Sequence, residues 1–372
     1  MVSSGNHNYS NNISLPVYQY FNTSYYSGFA GAQLKNMENP NLQWEEKMDY
    51  NVGVDFRTKR INAVLDAYIA DTRNLVFNRS IVPSTGFSTV IDNMGKVRNK
   101  GIEASLSYIL LQRGASYLSV YGKVAVNDNR ILQISEAMEA YNKQQAAAAD
   151  AINSPAPVVR YYNGAPLHSI WVVESLGIDS SDGREVFINR DGNMTKTWNA
   201  LDLKNYGSSD PLYNGNFGIN GELSGFGFNI LFTYYGGGKL YNITLLNKVE
   251  NVDMQYNVDR RIFEGRWFKA GQNTPYRGLG INGTMQDDEQ GVWYPEMTRP
   301  TSRFVQDNNV MDISSLSVYY EFPTALIQKL RLSRLRLTLY ANDLYTFSSI
   351  DIERGTSYPY ARSASFSLTA TF

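Results

Sequence analysis

The sequence predicts an all-β protein, a transmembrane antiparallel β-barrel wall, on three observations. Residues alternate apolar with polar in run after run, and a period of two is the period of a strand. The connections between these runs alternate short and long. No stretch of about 18 apolar residues occurs, so no membrane helix is expected. A mean hydropathy of −0.36 is compatible with a membrane barrel, whose alternate residues are polar.

Nine alternating runs follow in order. Tyr50, Val52, Val54 and Phe56 alternate with Asn51, Gly53 and Asp55. Ile61, Ala63, Leu65, Ala67 and Ile69 enclose Asn62 and Asp66. Ile102, Ala104, Leu106 and Tyr108 oppose Glu103, Ser105 and Ser107. Leu118, Val120, Val124 and Val126 oppose Ser119, Tyr121, Lys123 and Asn127. Phe217, Ile219 and Leu223 oppose Asn220 and Glu222, and Phe226, Phe228, Ile230, Phe232 and Tyr234 oppose Asn229 and Thr233. Leu316, Val318, Tyr320 and Phe322 oppose Ser315, Ser317 and Glu321. Leu335, Leu337, Leu339 and Ala341 oppose Arg334, Arg336, Thr338 and Asn342. The closing run, SASFSLTATF, sets Phe366, Leu368, Ala370 and Phe372 against serines and threonines. One or two further strands are expected before Asn39, around LPVYQYF.

Alternation by itself fits a soluble sandwich, with core on one face and water on the other, as well as a barrel between lipid and a wet lumen. The connections favour the barrel. Short ones fall at Arg57–Arg60, Leu111–Ser116, Ser224–Gly225 and Pro323–Arg331. Long ones fall at Asp71–Gly101, Asp128–Asn216, Tyr235–Ile313 and Asp343–Ser363. Outer-membrane barrels sort their connections this way, with tight periplasmic turns and long extracellular loops. Arg334, Arg336, Glu222, Asp66 and Lys123 sit in mid-strand, where a wet lumen accepts charge and a dry core would need every one paired. The expected lipid-facing band therefore holds Phe228, Ile230, Phe232, Leu335, Leu337, Leu339, Leu368 and Phe372. Asn229, Thr233, Arg334, Arg336, Ser367 and Thr369 are expected to face the lumen.

Composition narrows the function. A net charge of −1 gives no electrostatic case for nucleic acid. Cysteine is absent, so no disulfide or thiol chemistry is expected. Tyrosine is the outlier, with 27 Tyr against 17 Phe and 5 Trp, and amphipathic rings suit the girdles of a membrane barrel. The opening MVSSGNHNYSNNIS has neither the charged nor the apolar region of a signal peptide.

Candidates for chemistry are few. Only His7 and His168 could serve a serine nucleophile, and His168 in GAPLHSIWVVE reads as structural, so no enzyme activity is expected. Asp179, Asp182 and Asp191, and separately Asp287, Asp288 and Glu289, could offer oxygens to Ca²⁺, but neither group has EF-hand spacing and solvated turn acids are the better reading. No metal or cofactor is expected. Trp171, Trp198, Trp267, Trp293 and Tyr294 could stack on sugars or simply pack loops. Ile134–Ile152 is Ala-rich and helix-prone, either a contact surface for a partner or a solvated loop helix. No substrate-binding residue can be singled out.

Six stretches, in order, carry a resemblance. They are NPNLQWEE (Asn39–Glu46) with NVGVDF, VIDNMGKVRNKGIEASLSY (Val90–Tyr108), YYGGGKLYN (Tyr234–Asn242), SLSVYYEFP (Ser315–Pro323), LYANDLYTF (Leu339–Phe347) and YPYARSASFSLTATF. Together they resemble the SusC/RagA-type TonB-dependent outer-membrane transporters. Two departures stand out: Asp343 is inserted after Asn342, and Ser367 stands where that family has Gly.

The resemblance covers the family's C-terminal portion. It implies about half of a barrel of roughly 22 strands, here an open curved sheet of about 10–12 strands. Residues 1–38 would hold partial strands and loop, and 39–372 the barrel, with signal peptide, TonB box and plug absent. Phe366, Leu368 and Phe372 would form the signal read by the barrel-assembly machinery. The implied function is import of large nutrients, oligosaccharides or oligopeptides, with a SusD-like lipoprotein over the loops. Outer-membrane lipid would be a further partner, and the TonB complex would act only through the missing N-terminal part. A passive or structural barrel is the alternative.

Overall fold

The alternating runs pair in chain order into one antiparallel sheet of ten strands. These are β1 (Val2–Asn6), β2 (Glu46–Arg57), β3 (Ile61–Arg73), β4 (Gly95–Arg113), β5 (Ser116–Ile134), β6 (Tyr213–Leu223), β7 (Phe226–Tyr241), β8 (Val305–Glu321), β9 (Arg334–Ser348) and β10 (Ser363–Thr371). This computed structural model describes all residues except 7–12, 27–28, 82, 115, 152–153, 253–256, 279–284, 288–292, 296 and 352–361. Each strand hydrogen-bonds to its sequence neighbours, and β10 pairs only with β9. The sheet is therefore open among the described residues, as the sequence predicts.

Nine of the ten strands are the nine runs read from the sequence. The tenth differs. LPVYQYF contributes to Val17–Tyr26, which pairs with Phe29–Asn36 in a separate hairpin. Its place in the wall is taken by β1, from Val2 opposite Tyr50 to Asn6 opposite Glu46. VSSGN has one apolar residue and shows no alternation to find.

Several strands also outrun their patterns. β4 and β5 have 19 residues each, whereas roughly 9–11 cross a membrane. The extra pairs, such as Asn99 with Asn129 and Lys100 with Asp128, lie where both faces are polar, so the ladder continues after the pattern stops.

The two ends of the wall are unlike. At one end the turns are tight. Thr58 Oγ1 accepts the Ile61 amide at 2.9 Å, and Ser224 and Gly225 both take positive φ, at 52° and 84°, as a two-residue hairpin turn with a right-handed twist requires. The other end carries the long connections, and the buried core lies there. Met94, Val97, Ile131, Met138, Tyr141 and Tyr161 form one cluster. Ile170, Val172, Tyr241, Leu246, Val249 and Phe304 form a second, and Val173, Phe187, Ala200 and Leu203 a third. The helix expected in Ile134–Ile152 is α1 (Glu136–Ala151). Met138 and Tyr141 bury it in the first cluster, and the Asn142 side chain bonds the Tyr161 backbone. It is packed rather than solvated.

Two of the six motif stretches have clear local physical roles. In NPNLQWEE, Asn39 Nδ2 donates to the Ile91 carbonyl at 2.8 Å and Glu45 Oε2 accepts the Val76 amide at 3.1 Å, pinning the hairpin of Val76–Ser80 and Thr89–Asn93. The inserted Asp343 takes φ 52° where the β8–β9 register shifts between Ile313 and Ser315. It is the extra residue of a β-bulge, a position that an Asp tolerates in the left-handed region.

The tyrosine excess has a second use besides girdles. Tyr68, Tyr121 and Tyr319 stand directly opposite Gly101, Gly218 and Gly227 on one face, and Tyr213 and Tyr234 opposite Gly236 and Gly215 on the other. Each ring lies over its glycine. A Cβ at Gly218 would meet Tyr121 Oη at 2.5 Å, and one at Gly227 would meet Tyr319 Cζ at 2.1 Å. The rings fill the space that glycine leaves, covering backbone that would otherwise lose packing. Gly227→Ala should therefore cost about 1–3 kcal/mol by overpacking, measured by urea unfolding in lipid. The cost should shrink in a Tyr319→Ala background, whereas additive losses would show that the ring and the glycine are independent.

Candidate functional site

The register sorts the wall into rows, and each row has one character. Leu118, Gly221, Phe228, Val318, Leu339 and Phe366 stand side by side from β5 to β10. So do Val120, Ile219, Ile230, Leu316, Ala341 and Ala364. On the opposite face run Ser119, Asn220, Asn229, Ser317, Tyr340 and Ser365, and beside them Tyr117, Glu222, Gly227, Tyr319, Thr338 and Ser367. Leu335 pairs with Ala370 and Leu337 with Leu368, while Arg336 pairs with Thr369 and Arg334 with Thr371.

The apolar face is uncovered. Leu339 is 50% exposed, Leu368 61%, Phe366 70% and Phe372 93%, far more contiguous apolar surface than a water-soluble monomer tolerates. Aromatic residues edge it. Tyr50, Tyr213, Tyr234, Tyr345 and Phe347 lie toward the long connections, and Phe56, Tyr108, Phe226, Tyr320 and Phe322 toward the tight turns.

The polar face is a bonded network. Near the tight turns, Arg334 and Arg336 both grip Glu321, at 2.9 and 2.6 Å. Arg336 also lies 4.2 Å above the Tyr319 ring, and Tyr319 donates to Glu222 at 2.6 Å. Farther along, Ser119 bonds Asn220, Tyr121 donates to Asn229 at 3.3 Å, and Thr233 bonds Ser314 at 2.6 Å. Asp66 stands opposite Glu103 beside a depression that Lys123 also lines. Two carboxylates facing across a ladder repel unless water screens them, so this face suits a wet space.

A second structure sits above the wall. Arg303, in the turn leading into β8, is half-buried and bridges two buried carboxylates from different long connections. It reaches Glu185 at 2.6 Å and Glu250 at 2.8 Å. Thr301 Oγ1 donates to Glu185 at 2.5 Å and Thr298 Oγ1 to Glu250 at 2.7 Å, and the Arg277 amide adds 2.9 Å to Glu250. Burial would raise the Glu250 carboxyl, but the charges of Arg303 and Arg277 and the hydrogen bonds outweigh it and hold it low. The pattern carries no sequence signal, because the three charges lie 53 to 118 residues apart along the chain.

Several of the expected chemical candidates make local loop contacts. Asp179 and Asp182 both accept from Lys196 at 2.7 Å, and that bond holds Asp179 below the usual range. Asp191 is exposed. Asp288 and Glu289 lie outside the described residues, and Asp287 falls in a short strand, Met285–Asp287. His168 Nδ1 lies 2.9 Å from Asp210, with no serine nucleophile bonded to it among the described residues. Trp171 donates to the Arg160 carbonyl, Trp198 to Pro300 and Trp267 to Ser180, so these rings hold loops together. Trp293 and Tyr294 lie in a short strand, Trp293–Pro295.

Comparison with known proteins agrees with this geometry. Residues 6–170 match the family model of the TonB dependent receptor-like beta-barrel. TonB-dependent receptor P3 of Formosa agariphila is 23% identical over 335 residues, 86% of this chain and 31% of the relative. TonB-dependent receptor P39 of the same organism is 23% identical over 377 residues, 87% of this chain and 34% of the relative. The chain thus spans about a third of the length of these curated relatives. Among solved structures, the RagAB peptide transporter aligns over 94% of this chain and 37% of its own, with a TM-score of 0.73 at 17% identity. The RagAB peptide importer in its closed-closed state gives 0.69 at 18%. The family resemblance drawn from the six motifs is borne out.

Removing the Arg303 guanidinium should strand two buried carboxylates. Arg303→Met should therefore destabilise the loop cluster by about 3–5 kcal/mol, read as faster amide exchange around Glu185 and Glu250 with β5–β8 unchanged. Because the Glu250 carboxyl is depressed in the fold, its stabilisation is complete above the ordinary value of 4.5 and is lost as pH falls toward about 2. Loop protection, taken as exchange relative to the intrinsic amide rate at each pH, should fall across that window, and protection that does not change with pH would contradict the assignment.

Proposed function

We propose that this chain carries strands of a TonB-dependent receptor-like β-barrel of the bacterial outer membrane, forming lumen wall and lipid-facing band of an importer for large nutrients. One observation carries the reading: an uncovered apolar face edged by two aromatic rims, backed by a hydrogen-bonded polar face. Phe228, Ile230, Phe232, Leu335, Leu337, Leu339 and Leu368 meet lipid, with Phe372 beyond them at the end of the strand. Asn229, Thr233, Arg334, Arg336, Ser367 and Thr369 line the lumen. Phe366, Leu368 and Phe372 present the closing strand to the assembly machinery.

The cargo is an oligopeptide or an oligosaccharide, since a lumen of hydroxyls, amides and paired charges suits polar chains. The RagAB structures are of a peptide transporter and lend the peptide class support. A SusD-like lipoprotein would rest on the long-connection end, where the Arg303 network provides a stiff platform. TonB would act through a plug outside these residues. The wall serves transport rather than catalysis.

Two experiments test this. Leu337→Arg should cost about 2–4 kcal/mol of stability in lipid and Thr338→Arg little, because only the first places charge in the apolar band; equal losses would reverse or erase the face assignment. Deleting the gene should abolish energy-dependent uptake of one large cargo class, fluorescent oligopeptides or oligosaccharides, and leave small solutes unaffected. If small-solute permeability falls instead, the protein is a passive barrel.

A further inference from the structure

The apolar face is not evenly filled. A groove of about 830 Å³ crosses it from β2 toward β7. Its floor is made of small residues on adjoining strands: Ala63 on β3, Ala104 on β4 and Gly122 on β5. Its walls are large: Phe56, Leu65, Leu106 and Phe217. The register explains the shape. Ala63 stands between Phe56 and Leu106, and Gly122 between Leu106 and Phe217, while Ala104 stands between Leu65 and Val124. Phe56 belongs to the aromatic rim at the tight-turn end and Tyr234, which borders the groove, to the rim at the other end. The groove therefore runs obliquely between the two rims.

We propose that an acyl chain of an outer-membrane phospholipid beds in this groove. The inference rests on the lipid-face reading and adds a specific site to it. The walls of Phe56, Leu65, Leu106 and Phe217 offer water no polar side chain, and a void would forfeit dispersion contacts along them. A flexible apolar chain fits an elongated slot better than the flat face of a neighbouring protein does. The slot spans the strands from β2 to β7, roughly 24 Å at the usual strand spacing, whereas one leaflet of hydrocarbon is about 15 Å deep. An acyl chain running obliquely can lie in it with its headgroup at a rim. Phospholipid is the source because the Phe56 end of the groove lies at the tight-turn, periplasmic side.

The test uses tryptophan fluorescence of the full chain in vesicles of brominated phosphatidylcholine, which are then exchanged into unbrominated lipid. Leu106→Trp places a probe on the groove wall, and Leu339→Trp places one on the same face far from it. Both should be quenched at first. On exchange, Leu339→Trp should recover with the bulk lipid, while a fraction of Leu106→Trp should recover roughly tenfold more slowly. Ala104→Leu, which fills the floor, should abolish that slow fraction. Equal recovery of the two probes, or a slow fraction that survives Ala104→Leu, would overturn the bound chain while leaving the lipid face intact. Absence of quenching at both probes would overturn the lipid face itself. Absence at Leu106→Trp alone, relieved by diluting the protein in lipid, would give the groove to a second copy of this chain and overturn the proposal.

Discussion

Every backbone N–H and C=O in this wall must find its partner on the next strand, because hydrocarbon offers none. That single constraint organises the molecule. It makes the ladder continuous from β1 to β10 and fixes two faces of opposite character. It also makes a register slip intolerable, since one residue of shift would turn Phe228 and Ile230 onto the polar face and Asn229 onto the apolar one. The outward groups of β1 and β10 are the places where the constraint is still open, and barrel closure is what satisfies such edges.

The wall and the loop cluster are held by different physics. In the wall little is buried, and cohesion comes from the ladder, from tyrosines seated on opposing glycines and from charge pairs on the polar face. Above it, three apolar clusters and the Glu185–Arg303–Glu250 network form an interior of the ordinary kind. The network joins the connection after β5 to the connection after β7. Trp267 strengthens the union by bonding Ser180 and covering Gly183.

Much of this was legible in the sequence, and the reasons for the rest are physical. Alternation identified nine strands because each has one face in an apolar medium and the other in a polar one. β1 escaped because VSSGN lacks that contrast, and the far halves of β4 and β5 escaped because Asn99 with Asn129 and Lys100 with Asp128 put polar residues on both faces. The strand at Val17–Tyr26 has the aromatic and β-branched residues of a wall strand but pairs locally, which composition cannot distinguish. Asp343 was visible as an insertion, and only the register revealed it as a bulge. The buried charges of the loop cluster were illegible, since residues so far apart in the chain meet only through tertiary packing.

The central claim is that one face of the wall meets lipid and the other an aqueous lumen. The absence of cysteine makes single-cysteine spin labelling along β7 direct, with oxygen and a water-soluble nickel chelate as relaxing agents in vesicles. Labels at positions 228, 230 and 232 should be reached by oxygen, and those at 229, 231 and 233 by nickel, in strict alternation. An inverted phase, or accessibility without a period of two, would contradict the account.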